Sequence, residues 1–115
     1  NKKMFLIAIT NKKIVGYVSL KKEEDSDKNT AKFIDLTKYS CVGWIAVLAK
    51  YRKHKIGSKL LKECERYVKK FRKKGLWLDC RFEVIEFYEK NKYLNVGSYI
   101  DEKGKRSFVM LKRLK

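Results

Sequence analysis

Histidine is nearly absent from this 115-residue chain, where His54 is the only one. Cysteine is scarce as well: Cys41, Cys64 and Cys80 form an odd set without a C-x-x-C spacing. The usual zinc ligand sets cannot be assembled from these residues. The apolar settings of Cys64 and Cys80 read instead as buried thiols in a reducing compartment, the cytoplasm or the nucleus. No run approaches the ~20 apolar residues of a membrane span, and no signal-peptide pattern opens the chain, so no membrane partner is expected. Acidic residues are few, 13 against 30 Lys and Arg, for a net charge of +17. A field of that sign attracts nucleic acid, anionic membrane or phosphorylated ligands without choosing among them. The lysines are scattered over every segment, so the excess reads as compositional bias rather than a built patch.

What remains is ordinary for a folded chain: 44% hydrophobic and 13% aromatic residues in a length that makes one domain, residues 1–115. The chain opens on Asn1 and runs straight into strand-like sequence, as a fragment would. "MFLIAIT" (4–10) and "KIVGYVSL" (13–20), joined by "NKK", have the grammar of an antiparallel hairpin. The polar stretch "KKEEDSDKNT" (21–30) reads as a mobile loop and holds the chain's one acidic cluster. "CVGWIAVL" (41–48) is almost wholly apolar and reads as a buried central strand. From Ser58 the period changes: Leu60, Leu61, Cys64, Tyr67, Val68 and Phe71 mark one face of a four-turn amphipathic helix, with Gly75 as its C′ residue. A short strand "LWLDC" (76–80), a second helix over 83–91 with Val84, Phe87 and Tyr88 on one face, and two strands around "DEKG" complete the order. The strand–helix–strand unit in the middle requires a parallel crossover. The fold class is therefore α/β, a mixed and mostly antiparallel sheet.

The junction "IAVLAKYRKHKIGS" passes from strand to helix through a short basic loop. In open α/β sheets ligands commonly sit at the carboxyl ends of strands. Here the backbone N–H groups of the loop and first helical turn could hold a diphosphate, with Arg52, Lys53, His54 and Lys55 adding positive charge. The glycine spacings of the Walker loop and of the dinucleotide fingerprint are both absent. On spacing alone, a plain charged loop stays open beside the diphosphate cradle.

"VLAKYRKHKIGSKLL" resembles the acetyl-coenzyme A signature of the GNAT superfamily of N-acetyltransferases. The core of that signature is Arg or Gln, two residues, Gly, one residue, then Gly or Ala. Arg52 takes its first position and Gly57 its last, while Lys55 replaces the first glycine and Ala49 stands where proline is common. "EFYEKNKY" is similar to the family's later "FYEKLGF", with Asn91 and Lys92 in place of Leu-Gly. The resemblance covers residues 4–114 and implies a GNAT-type sheet whose opening strand and first two helices are missing. It also implies acetyl-coenzyme A as cofactor and direct attack of an amine on the thioester. The strand Ile45, Val47 and Leu48 would bind the pantetheine arm, and Lys53, His54, Lys55, Ile56, Gly57 and Ser58 the diphosphate. Tyr88 would protonate the departing thiolate. No carboxylate lies on the central strand, so the base falls to Asp79 or Asp35 by position, or to a water chain.

The resemblance implies a small-molecule or peptide amine as acceptor partner. The spacing from Asp79 to Tyr88 is similar to that of glucosamine-6-phosphate N-acetyltransferases, although Val84 stands where those enzymes carry asparagine. Two alternatives remain: a basic nucleic-acid-binding module drawing on "KKFRKK" (69–74), and a GNAT fold without catalysis. No zinc finger, RNA-recognition signature or GXXG loop is present, and the aromatics fall on apolar faces, so nucleic acid is not the expected partner. A homodimer stays open.

Overall fold

A computed structural model describes residues 3–22 and 29–115, with the backbone alone at 53 and 54. Strands β1 (Lys3–Thr10) and β2 (Lys13–Lys21) pair antiparallel, joined by Asn11 and Lys12 at φ of 51° and 63°. Two consecutive positive φ values give the turn the twist that a tight hairpin needs. Along β1 burial alternates, so Leu6 and Ala8 pack on the core while Phe5, Ile7 and Ile9 stay exposed. Most of the polar stretch expected to be a mobile loop, residues 23–28, lies outside the described residues.

The remaining elements are β3 (Tyr39–Val47), α1 (Ile56–Lys70), β4 (Gly75–Cys80), α2 (Ile85–Lys90), β5 (Leu94–Ile100) and β6 (Arg106–Arg113). Short 3-10 segments, Ala49–His54 and Phe82–Val84, lead into the two helices. Six strands form one sheet in the order β1-β2-β3-β4-β6-β5, with β3 and β4 the only parallel pair among the described residues. This is the mixed sheet and central crossover that the sequence implies. Helix α1 places Leu60, Leu61, Cys64 and Val68 against Val18, Leu20, Val42, Leu76, Leu78 and Met110. Each such aliphatic side chain contributes about 1.5–3 kcal/mol on burial. The opposite face of the sheet carries a smaller cluster of Ile34, Leu36, Tyr39, Trp77 and Val109. Among the described residues no helix is long and apolar enough to cross a membrane.

The structure corrects three sequence expectations. First, the apolar run 41–48 is not buried throughout: β3 is covered only as far as Val42, and Gly43, Trp44 and Ala46 are exposed. The cause is pairing. β3 meets β4 only from Tyr39 to Cys41, opposite Gly75 to Trp77, and then continues bonded to β2 alone. Second, Gly75 is not the C′ residue of α1. Arg72, at φ 60°, takes that role: its N–H donates to the Lys69 carbonyl and the Lys73 N–H to that of Val68, the paired bonds of a Schellman ending. Gly75 instead opens β4, where a Cβ would come within 2.0 Å of the Lys112 carbonyl oxygen. Third, Val84 does not share the covered face of Phe87 and Tyr88; it precedes α2 and is exposed.

Candidate active site

Beyond Cys41 the strands β3 and β4 diverge, and the sheet opens into a cleft between them. A bulge helps to aim its wall: Val18 faces Ile45 and Leu20 faces Val42, so Ser19 alone opposes Gly43 and Trp44. The buried Ser19 Oγ accepts the Trp44 N–H at 2.7 Å, and the indole turns outward. Two cavities lie along the cleft and share Ile45 and Phe87.

The larger, about 860 Å³, lies against the start of α1. Its walls are Ile45, Ala46 and Val47 of β3, Gly57 and Ser58 of α1, and Phe87 of α2. Six basic residues line it as well, Arg52, Lys55, Lys62, Lys90, Lys92 and Lys112, with no acidic residue among the described ones. The N–H groups of Ile56, Gly57 and Ser58 have no intrahelical acceptor, because the first helical bond runs from Lys59 N–H to the Lys55 carbonyl. Among the described residues no side chain caps this end, and its first turn carries no acid. The dipole and the free donors therefore face a basic cavity together. Lys55 sits at φ 59°, ψ 24°, the left-handed conformation that glycine adopts without steric cost. Lys92, at φ 73°, stands where the resembling family segment has its other glycine. Arg52 Nε donates to the Val47 carbonyl at 3.0 Å and so ties the 3-10 segment to the end of β3.

The smaller cavity, about 530 Å³, is lined by Gly43, Trp44, Ile45, Asp79, Cys80, Arg81, Val84, Phe87, Tyr88 and Ser107. Tyr88 is nearly covered, its ring edge-on to Phe87 and Tyr93. Burial, with smaller contributions from Cys80 and Asp79, pushes its phenol up to about 12. Burial likewise pushes the Cys80 thiol up to about 11, with Asp79 adding to it. Asp79 is exposed at the end of β4, and its Oδ2 accepts the Tyr99 hydroxyl at 2.8 Å.

Most of the residues singled out from sequence therefore meet at this cleft: Ile45, Val47, Arg52, Lys55, Gly57 and Ser58 in one cavity, Tyr88 and Asp79 in the other. Leu48 lines neither cavity but an adjoining groove with Ile14, Val15 and Tyr17, which shares Ala46, Val47 and Arg52 with the larger cavity. The side chain of Ile56 packs on the core, leaving only its backbone at the helix start. The side chains of Lys53 and His54 lie outside the described residues. Asp35 lines neither cavity and accepts the N–H and hydroxyl of Thr37 in an exposed turn. Lys62, Lys90, Lys92 and Lys112 were not anticipated. Lys62 follows Ser58 by one helical turn, a spacing that would have revealed it. Lys112 arrives from β6 through tertiary contacts alone.

Residues 1–93 match the profile of the acetyltransferase (GNAT) family. An acetyltransferase structure from Bacillus cereus is 25% identical, with a TM-score of 0.74 over 98% of this chain and 74% of that one. A protein described as a streptothricin acetyltransferase of Bacillus anthracis, solved with acetyl coenzyme A, gives 20% identity and a TM-score of 0.81 over 100% of this chain and 64% of that one. An aminoglycoside 6'-N-acetyltransferase complexed with coenzyme A gives 18% and 0.73, over 96% and 72%. Against these three the chain spans 64% to 74% of their length. No curated protein matches the sequence.

Proposed function

This chain belongs to the acetyltransferase (GNAT) family, and on that premise we propose that it moves an acetyl group from acetyl-coenzyme A to a primary amine within the β3–β4 cleft. The observation that carries this reading is the parting of β3 from β4 directly beside a helix start without a side-chain cap, in a cavity whose charged residues, among those described, are all basic. The residues present fit the cofactor: an anionic diphosphate suits the Ile56, Gly57 and Ser58 N–H groups with Arg52 and Lys55, and the unpaired edge of β3 at Ile45 to Val47 suits an amide-bearing arm. Bound there, acetyl-coenzyme A supplies an acetyl thioester open to direct attack.

The chain's own part is proton handling. An ammonium entering the smaller cavity passes a proton through the exposed Asp79 to solvent and becomes the attacking amine. Tyr88 Oη, kept protonated by its burial, donates to the leaving sulfur as negative charge develops there. The nitrogen–carbon bond replaces the carbon–sulfur bond. The second proton shed by nitrogen passes to the sulfur, so an amide and a free thiol remain and the phenol keeps its proton. A raised phenol is a weak acid beside a thiol, so its contribution is a hydrogen bond that strengthens as the thiolate forms.

Thermal melting with acetyl-coenzyme A tests the reading. At 100 times its dissociation constant the ligand adds about 2.7 kcal/mol of stability. A carboxylate placed at Gly57, whose Cβ position is 3.0 Å from the Phe87 ring, together with Arg52→Ala, abolishes the shift. Should acetyl-coenzyme A leave the melting point unmoved while oligonucleotides bind with salt-sensitive affinity, the acetyltransferase reading fails.

A further inference from the structure

Charge changes sign along the cleft. The cavity beside α1 is lined by six basic residues; Lys112 is paired with Glu65 and Lys90 with Glu86, and Arg52, Lys55, Lys62 and Lys92 still give it a positive sign. The cavity around Tyr88 has no lysine among the described residues and only two charged groups, Asp79 and Arg81. Arg81 is already committed: Nη2 donates to Asp101 Oδ2 at 2.6 Å, and Nη1 to Ser107 Oγ at 3.1 Å and to the Arg106 carbonyl at 3.4 Å. Its charge is balanced within the protein, so Asp79 decides the local sign. In a chain with 30 basic residues and 13 acidic ones, that is the reverse of what composition alone would place there.

The rim is apolar. Trp44 is 71% exposed and Val84 43%. An indole that exposed is held outward by the β3 bulge, fixed through the buried Ser19. A neighbouring groove does carry Lys105 and Arg106, but it shares only Arg81 with this cavity and also contains Glu83. There, Arg106 Nη1 is held by Ser98 Oγ at 2.8 Å.

We propose that the acceptor is a primary amine on an aromatic or aliphatic body with no anionic group, entering as a cation between the Asp79 carboxylate and the face of Trp44. This class rests on the acetyltransferase reading and narrows it. An ammonium is drawn by the carboxylate and by the indole ring together, and its apolar body covers Trp44 and Val84. A phosphorylated amine would bring its negative charge beside Asp79, with no uncommitted cation lining the cavity to meet it.

The test titrates coenzyme A-loaded protein calorimetrically with tyramine, cadaverine and glucosamine 6-phosphate, and follows thiol release with the same three amines and acetyl-coenzyme A. Tyramine binds tightest and is acetylated fastest, and glucosamine 6-phosphate binds at least about tenfold more weakly. Trp44→Ala weakens tyramine by about tenfold while leaving the acetyl-coenzyme A melting shift in place. Tighter binding of glucosamine 6-phosphate overturns the inference, as does no binding of either cation, with the acetyltransferase reading intact in both cases. A missing acetyl-coenzyme A shift brings down both.

Discussion

Lys55→Gly separates two contributions that one residue makes. Its backbone lies at φ 59°, ψ 24°, immediately before α1. For an L-residue with a side chain that conformation costs ~1–2 kcal/mol. Glycine removes the cost but gives back ~0.4–1 kcal/mol through the greater freedom of the unfolded chain. The net gain for the ligand-free protein is about 0.5–1 kcal/mol, a rise in melting temperature of roughly 2–4 °C at this size. The same change removes an exposed ammonium from the larger cavity. Exposed ion pairs contribute ~0.2–1 kcal/mol, so acetyl-coenzyme A affinity falls about two- to fivefold. Stability and affinity therefore move in opposite directions. Lys55→Ala is the control: it loses the same charge and keeps the left-handed backbone, so affinity falls equally while the ligand-free melting point does not rise. Scanning fluorimetry of the three proteins, with and without ligand, reads both quantities. A Lys55→Gly protein that melts lower than wild type, or binds acetyl-coenzyme A more tightly, refutes the argument.

Three further outcomes follow from the same geometry. Tyr88→Phe lowers kcat by about 100-fold, within the range of a lost proton donor, and leaves the acetyl-coenzyme A melting shift nearly unchanged; steady-state thiol release measures it. Stability falls on alkaline titration. Burial pushes the Cys64 thiol and the Tyr88 phenol up to about 12 and Cys80 to about 11. The folded chain keeps protons that the unfolded chain releases, so the stabilisation is complete below about pH 8.5 and is lost as pH rises through 11 to 12. Urea midpoints measured from pH 8 to 11 should fall steadily, and a flat profile would show these groups to be solvated. Glu65→Gln costs about 3 kcal/mol in urea unfolding. The Glu65 carboxylate accepts Lys112 Nζ at 3.0 and 3.1 Å and the Tyr93 hydroxyl at 3.4 Å, with the ion-pair side chains only 15% and 20% exposed. An unchanged midpoint would mean that α1 and β6 are held together by apolar contacts alone.

Where periodicity and burial coincide, sequence reading and structure agree. The spacing of Leu60, Leu61, Cys64 and Val68 marks α1 because each must meet the sheet, and no other structure aligns those positions. The hairpin of β1 and β2 is equally plain, because two β-rich runs flank a short polar turn. The apolar run of β3 reads as buried throughout, and it misleads for a physical reason. An apolar side chain looks the same in sequence whether protein covers it or a ligand is to lie against it. Only the end of pairing with β4 after Cys41 shows that Ile45, Ala46 and Val47 face a cleft. Turns were obscured in another way. Lys55, Arg72 and Lys92 all hold positive φ, where glycine would have announced a loop or a helix end. Gly75 then drew the reading as a C′ residue, although its place is set by the backbone of β6. Two of those three substitutions, Lys55 and Lys92, fall on the wall of the same basic cavity, whereas Arg72 ends α1 and lines neither cavity of the cleft. At the cavity the steric cost comes with a cation on the cavity wall. At Arg72 it comes with none, so Arg72→Gly should raise stability as Lys55→Gly does and leave acetyl-coenzyme A affinity unchanged.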